Sequence, residues 1–264
     1  MMHILSVQDI SCVGRCSQTV AMPVLSVMGL RCSILPTAVL STHTAFPDPY
    51  CRSLTADIAP ICRHWQQVGV TFDGVLVGYL ADEAQCAVVR ELLDTQFGLK
   101  IVDPAMGDHG KLYSGLQATH VSAMADLCRK ADILLPNVTE AALLAGKDYQ
   151  AAGDEDYYRS LGQALLEKYD LRGVVITGVS LAEGQTGFYR LCRKGENFYQ
   201  TPCLNKTLHG TGDLFSAVLA GGLLKGKTLP EAANAAANFV EAAIDATETV
   251  TPHGVCFEKV LKNL

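Results

Sequence analysis

The stretch from Asp73 to Asp103 limits what this chain can fold into more than any other. Asp73-Gly74-Val75-Leu76-Val77-Gly78-Tyr79-Leu80 is a continuous apolar run, the pattern of a strand buried on both faces in a parallel sheet. Asp82 to Phe97 then reads as a helix and Leu99-Lys100-Ile101-Val102-Asp103 as the next strand. Parallel neighbours need a crossover, and a helix is the usual one, so this order predicts a βαβ unit. The alternation runs along most of the chain. Residues 3–8 form a short strand, Ser11 to Ser17 a glycine-containing turn, and an apolar helix then ends near Met28-Gly29. Ser33 to Leu40 is a second strand in which Pro36 marks an edge or a bulge. Cys51 to Gly69 reads as a helix with Trp65 in the core, Gln117 to Lys130 as a helix, and Ala131 to Pro136 as a strand. Asp154 to Tyr169 is an amphipathic helix and Gly173 to Ser180 a buried strand. The expected fold is α/β, a doubly wound, mostly parallel central sheet flanked by helices.

Beyond Ser180 the character changes. Gln185 to Cys192 and Glu196 to Cys203 are extended and joined by Arg193-Lys194-Gly195, a small β-hairpin extension. Leu214 to Leu224 is a buried helix, Leu229 to Ala246 an alanine-rich one, and Val255 to Leu264 a short closing one. With 264 residues, 49% of them hydrophobic, and no repeat or linker, one domain over residues 1–264 is expected. A net charge of −6 without a basic cluster argues against nucleic acid or an anionic membrane as partner. No apolar run is long enough to span a bilayer, and Met1 to Asp9 lacks the basic region of a secretion signal, so a cytoplasmic location is expected. The 10 cysteines are scattered through apolar segments and read as free thiols. Cys12 and Cys16 are closely spaced, but no histidine at ligand spacing joins them, and zinc is set aside.

The chemistry concentrates in short strings at the ends of these strands. His209-Gly210-Thr211-Gly212-Asp213-Leu214-Phe215 opens the apolar helix with several uncapped N–H groups pointing one way, a seat for anionic oxygens. Asp213 either complements the helix dipole or takes a proton from an attacking hydroxyl while the amides hold a phosphoryl group. Asp103-Pro104-Ala105-Met106-Gly107-Asp108 is too broken for a helix, and its acids suit Mg2+ or a solvated turn. Asn137-Val138-Thr139-Glu140 has capping-box spacing and aims a carboxamide and a carboxylate at the rim carrying Asp103. Thr177 touches a nucleotide phosphate or closes a turn. Asp9 stands where open α/β sheets bind ligands, and reads equally as an acid opening the next helix. The loop Ser41 to Tyr50 mixes hydroxyls, an imidazole and aromatics, as pocket-lining loops and solvated turns both do. The turn after the first strand lacks G-x-G-x-x-G spacing, which leaves nicotinamide chemistry unsupported.

In this order the strings resemble the ribokinase-like superfamily and, within it, the pyridoxal (vitamin B6) kinases, over nearly the whole chain. Leu208 to Phe215 is similar to the family's anion-hole and base motif, Asp103 to Asp108 to its Asp-Pro-Val-Met-Gly-Asp loop, and Asn137 to Glu140 to its Asn-x-x-Glu motif. Gly78-Tyr79-Leu80 and Leu40-Ser41-Thr42-His43-Thr44 are similar to its substrate-side segments. The absence of a large inserted lid between residues 9 and 33 fits the pyridoxal kinase branch. The resemblance implies a ribokinase-like fold and an ATP-dependent kinase acting on the hydroxymethyl group of pyridoxal, pyridoxamine or pyridoxine. It implies Asp213 as the base, the amides of Gly210, Thr211 and Gly212 as the anion hole, and Asp103 and Glu140 as organisers of Mg2+ through water. Asp108, Tyr113, Asn137, Thr177 and Thr211 would lie along the ATP phosphates. Asp9, Ser41, His43, Thr44 and Tyr79 would face the substrate ring together with Asp213. A homodimer is implied, and a monovalent cation such as K+ is left open. One departure stands out: many pyridoxal kinases have a serine where this chain has Asp9 after Gln8. A carboxylate there pairs with a protonated pyridine nitrogen, or signals another heteroaromatic alcohol such as hydroxymethylpyrimidine. A non-catalytic nucleotide-binding protein of the same fold is the remaining alternative; the intact Gly-Thr-Gly-Asp argues against it.

Overall fold

A computed structural model of the protein describes residues 1–95, 97–204, 206 and 208–264. In chain order its elements are β1 (His3–Ser11), α1 (Gln18–Val27), β2 (Arg31–Leu40), β3 (Cys51–Ser53), α2 (Thr55–Gln67), β4 (Phe72–Val77), α3 (Glu83–Leu93) and β5 (Phe97–Val102). There follow β6 (Gly107–Asp108), β7 (Lys111–Leu112), α4 (Ala118–Cys128), β8 (Ile133–Leu134), α5 (Val138–Ala145), α6 (Glu155–Lys168) and β9 (Gly173–Val179). The chain ends with β10 (Gln185–Cys192), β11 (Gly195–Pro202), α7 (Thr211–Leu224), α8 (Leu229–Ala246) and a 3-10 turn, Phe257–Asn263.

One nine-stranded sheet runs in the order β11-β10-β9-β8-β5-β4-β1-β2-β3. Its centre, from β9 to β2, is parallel throughout, and antiparallel pairs occur only at the two edges. The chain builds outward from β1 to β3 and then returns to build the other way from β4, so the strand order reverses between β1 and β4. That is where an open sheet leaves a crevice at the carboxyl ends of its strands. Successive residues of each buried strand face opposite layers. Leu5, Val7, Val75, Val77, Val102 and Ile176 pack beneath α2 to α6, and Ile4, Leu76, Ile101 and Val175 pack beneath α1, α7 and α8. Burial on both faces is why these strands read as continuous apolar runs. In α7 every residue from Leu214 to Gly222 is buried, which explains its small and aliphatic composition. No described helix is long and apolar enough to cross a membrane.

The expected α/β architecture holds, with local corrections. Cys51 to Ser53 is not the start of a helix but a strand, pairing antiparallel with Ala38 to Leu40. Helix α2 begins only at Thr55. Phe97 belongs to β5 rather than to the preceding helix, and its ring stacks on Phe72 at 5.9 Å. Trp65 is only partly buried at the rim of this cluster, edge-on to Phe72 at 5.6 Å. Pro36 sits where β2 has no outer neighbour, and β2 carries one extra residue against β1 between Pro36 and Val39, so the position is edge and bulge at once. The expected hairpin is present as β10 and β11, and β10 also pairs with β9, so it extends the main sheet.

Candidate active site

The carboxyl ends of β1, β4, β5, β8 and β9 and the first turn of α7 converge on the crevice. The backbone at the start of α7 is set by Gly210, with φ 84°. A Cβ there would fall 2.1 Å from the Arg15 carbonyl oxygen, so glycine is required by close approach as well as by dihedral. Among the described residues no side chain caps the helix. Its first internal bond runs from Leu214 N–H to Gly210 O, and among the described residues the amides of Gly210, Thr211 and Gly212 find no acceptor. They form an uncompensated positive end.

Asp213 lies in this turn, partly exposed at the crevice. Its carboxyl is pushed up to about 7, first by burial and then by the Asp103 and Asp9 carboxylates, while the Ser17 N–H opposes the rise. One turn on, Ser216 Oγ donates to Asp103 Oδ2 at 2.5 Å. Asp103 is itself raised to about 6 by burial, against the pull of Ser216. Glu140 is 2% exposed. Its Oε2 accepts the Asn137 N–H at 2.8 Å and its Oε1 the Met106 N–H at 3.0 Å. Asn137 Oδ1 accepts the Glu140 N–H in return, completing the capping box, and Asn137 Nδ2 donates to Gly107 O at 2.7 Å. Burial and the Asp103 charge hold Glu140 well above the usual carboxylate range.

Asp103, held up by burial, and Glu140, held up by burial and then by the Asp103 charge, are hard oxygen donors, a set that fits Mg2+. Both Glu140 oxygens already accept backbone N–H groups, so contact through water suits this donor set. Thr177 lies beside Asn137, its N–H bonded to Pro136 O at 2.9 Å. Asp108 is exposed on the tight β6-β7 turn, where His109 and Gly110 both have positive φ. Tyr113 is 40% exposed, and its hydroxyl is raised by burial and then by Glu140 and Asp103.

Across the crevice, Asp9 is 4% exposed and accepts hydrogen bonds from Ser17 Oγ at 2.5 Å and Ser11 Oγ at 3.2 Å. Tyr79 is half-buried, its hydroxyl raised by burial and then by Asp9. His43 is buried; its Nδ1 accepts the Ala45 N–H at 3.2 Å, and its ring lies 5.2 Å from that of His209. Gly14 makes room for it, since a Cβ there would meet the imidazole at 2.0 Å. Burial holds His43 below its ordinary pKa; with Nδ1 accepting, the neutral ring carries its hydrogen on Nε2, which has no partner among the described residues. Thr44 is exposed on the same loop. Ser41 Oγ accepts the Tyr50 N–H at 3.0 Å and closes that loop.

The carboxylates expected at the metal and base positions therefore share one electrostatic neighbourhood, and Asp9 and Tyr79 share another that reaches Asp213. The supporting hydroxyls of Ser11, Ser17 and Ser216 were not foreseen; Ser216 carried one usable signal, its place one helical turn after Asp213.

Residues 63–256 match the family described as phosphomethylpyrimidine kinase. The chain belongs to the phosphomethylpyrimidine kinase family. Membership makes it a phosphotransferase, as the anion seat and acids suggested. This kinase is similar to a Bacteroides thetaiotaomicron protein crystallised with pyridoxal, at 34% identity and a TM-score of 0.94 over 99% of this chain and 95% of that one. It is similar to the pyridoxal kinase of Lactobacillus plantarum, at 33% identity and a TM-score of 0.92 over 100% and 96% of the two chains. A pyridoxine/pyridoxal/pyridoxamine kinase of Bordetella avium is 29% identical over 263 residues, 94% of this kinase and 86% of the relative. The ribokinase-like fold inferred from the motifs is thus the fold of this kinase.

Proposed function

We propose that the protein transfers the γ-phosphoryl group of ATP to the hydroxymethyl group of a vitamin B6 vitamer, the whole chain acting as one cytoplasmic kinase domain and as a homodimer. The observation that carries this reading is Asp213, a carboxyl raised to about 7 in the first turn of a helix whose amides have no acceptor among the described residues. A base poised near neutrality is matched to taking a proton from an alcohol as it attacks. The amides of Gly210, Thr211 and Gly212 stabilise negative charge on the moving phosphoryl group without reorganising. Asp108, Tyr113, Asn137, Thr177 and Thr211 lie along the nucleotide phosphates. Asp103 and Glu140 would hold Mg2+, which would supply neutralisation of phosphate charge. Asp9, His43, Thr44 and Tyr79, with Ser41 shaping their loop, orient the ring so that its hydroxymethyl oxygen meets Asp213 in line with the phosphate.

A second reading is hydroxymethylpyrimidine as acceptor, favoured by the family description and by an acidic Asp9 able to accept from a ring amine. Turnover with Mg-ATP on pyridoxal, pyridoxamine, pyridoxine and hydroxymethylpyrimidine separates the two. The B6 reading expects at least one vitamer to surpass the pyrimidine in kcat/KM. Phosphorylation of the pyrimidine alone contradicts it.

A further inference from the structure

Ser17 holds a backbone conformation that serine ordinarily avoids. It precedes the first turn of α1 with φ 48° and ψ −125°, territory that glycine occupies freely and a residue with a Cβ does not. A serine at this point of a helix normally turns its oxygen back to accept a first-turn N–H. Here that bond is not made. The hydroxyl donates to Asp9 Oδ1 instead, at 2.5 Å, between residues that are 5% and 4% exposed. Ser11 Oγ donates to the other oxygen, Oδ2, at 3.2 Å.

These facts explain one another. If the turn needed only its shape, glycine would provide it without strain, so the presence of serine is accounted for by its hydroxyl. A hydroxyl has one hydrogen, and Ser11 and Ser17 each commit theirs to Asp9. Both carboxylate oxygens are then acceptors of charge-assisted bonds, fixed in direction from two sides, and any further partner must donate.

Resting on the B6 kinase reading above, we propose that Ser17 is a positioning residue for ring recognition: its strained backbone and surrendered helix cap hold Asp9 as an oriented, acceptor-only carboxylate that selects a heteroaromatic ring presenting an N–H. The substrate preference follows from hydrogen-bond complementarity. A ring with C–H at the nitrogen position leaves a buried carboxylate without its partner.

The test uses the full-length protein and the variants Ser17→Gly and Ser17→Ala. Dissociation constants are measured for pyridoxine, for its carbocyclic analogue with C–H replacing the ring nitrogen, and for ATP, together with Tm. Wild-type turnover of B6 vitamers is recorded first; none at all overturns the kinase reading itself, independently of the variants. With turnover established, Ser17→Gly is expected to keep or raise Tm, because strain is released, and to leave ATP binding unchanged. Its pyridoxine Kd should rise by roughly tenfold, the size of one charge-assisted bond, while the analogue Kd stays constant. Ser17→Ala should weaken pyridoxine similarly and lower Tm, since it keeps the strain and loses the bond. A Ser17→Gly protein that discriminates pyridoxine from the analogue as well as wild type does overturns the proposal, and leaves Ser17 as a turn residue only.

Discussion

Asp213 is tuned first by burial and then by neighbouring charges of its own sign. Asp103 and Asp9 both raise its carboxyl, after burial. Asp9→Asn removes one of those charges at nearly constant shape, so the acid limb of the pH profile for kcat/KM should move to lower pH than in wild type. An unmoved limb would mean that Asp9 does not act on Asp213 through space. The main carboxylates were legible because each closes a short local pattern: Gly-Thr-Gly-Asp before an apolar run, or Asn and Glu at capping-box spacing. Their partners were not. Ser216 meets Asp103 across 113 positions of sequence, and Ser17 meets Asp9 only through a positive-φ turn that nothing in its composition announces. Side-chain networks of this kind are set by tertiary approach, to which local periodicity is blind.

At the scale of the element, α7 is buried from Leu214 to Gly222, and that packing anchors the more open first turn that precedes it. Gly210→Ala forces a Cβ toward the Arg15 carbonyl oxygen at 2.1 Å and a positive φ onto an L-residue. The expected result is a Tm loss corresponding to about 1–3 kcal/mol and a kcat reduced by roughly 10²–10³-fold as the amides leave their alignment. Gly212→Ala is the control, since its Cβ would meet no atom within 4 Å, and Tm should hold. Thermal melts and single-substrate kinetics on the two variants check this; equal behaviour would refute the geometric assignment. Element types were legible wherever a run was long, as in β4 or α7. The three-residue β3 was not, because so short a strand has no period of its own and exists through its pairing with Ala38 to Leu40. The helix assigned up to Phe97 failed for a related reason: Phe97 is drawn into β5 by stacking on Phe72, a contact from the neighbouring strand.

At the scale of the whole molecule, the reversal of strand order between β1 and β4 gathers acids from distant parts of the chain into one crevice. That placement has a cost for the metal-free protein. Asp103, raised from 3.8 to about 6, and Glu140, raised well above 4.5, keep protons in the folded state that the unfolded chain has already released. The fold therefore binds more protons than the unfolded chain, so the contribution of these groups to stability falls as pH climbs from the ordinary carboxylate range through about 6. On the proposed assignment, Mg2+ with nucleotide would offset the repulsion only once the acids are ionised. The gain in Tm on adding both should accordingly be larger at pH 8 than at pH 5; an equal gain would argue against Asp103 and Glu140 as the ion's anchors. The central claim is that Asp213 is the base of a B6 vitamer kinase. Its most direct test is the pH dependence of kcat/KM for vitamer phosphorylation by wild type and Asp213→Asn. Wild type should show an acid limb near about 7, and the variant, still binding ATP, should lose at least ~10²-fold in rate together with that limb. A variant that keeps a tenth or more of the wild-type rate, with the limb intact, would contradict the account.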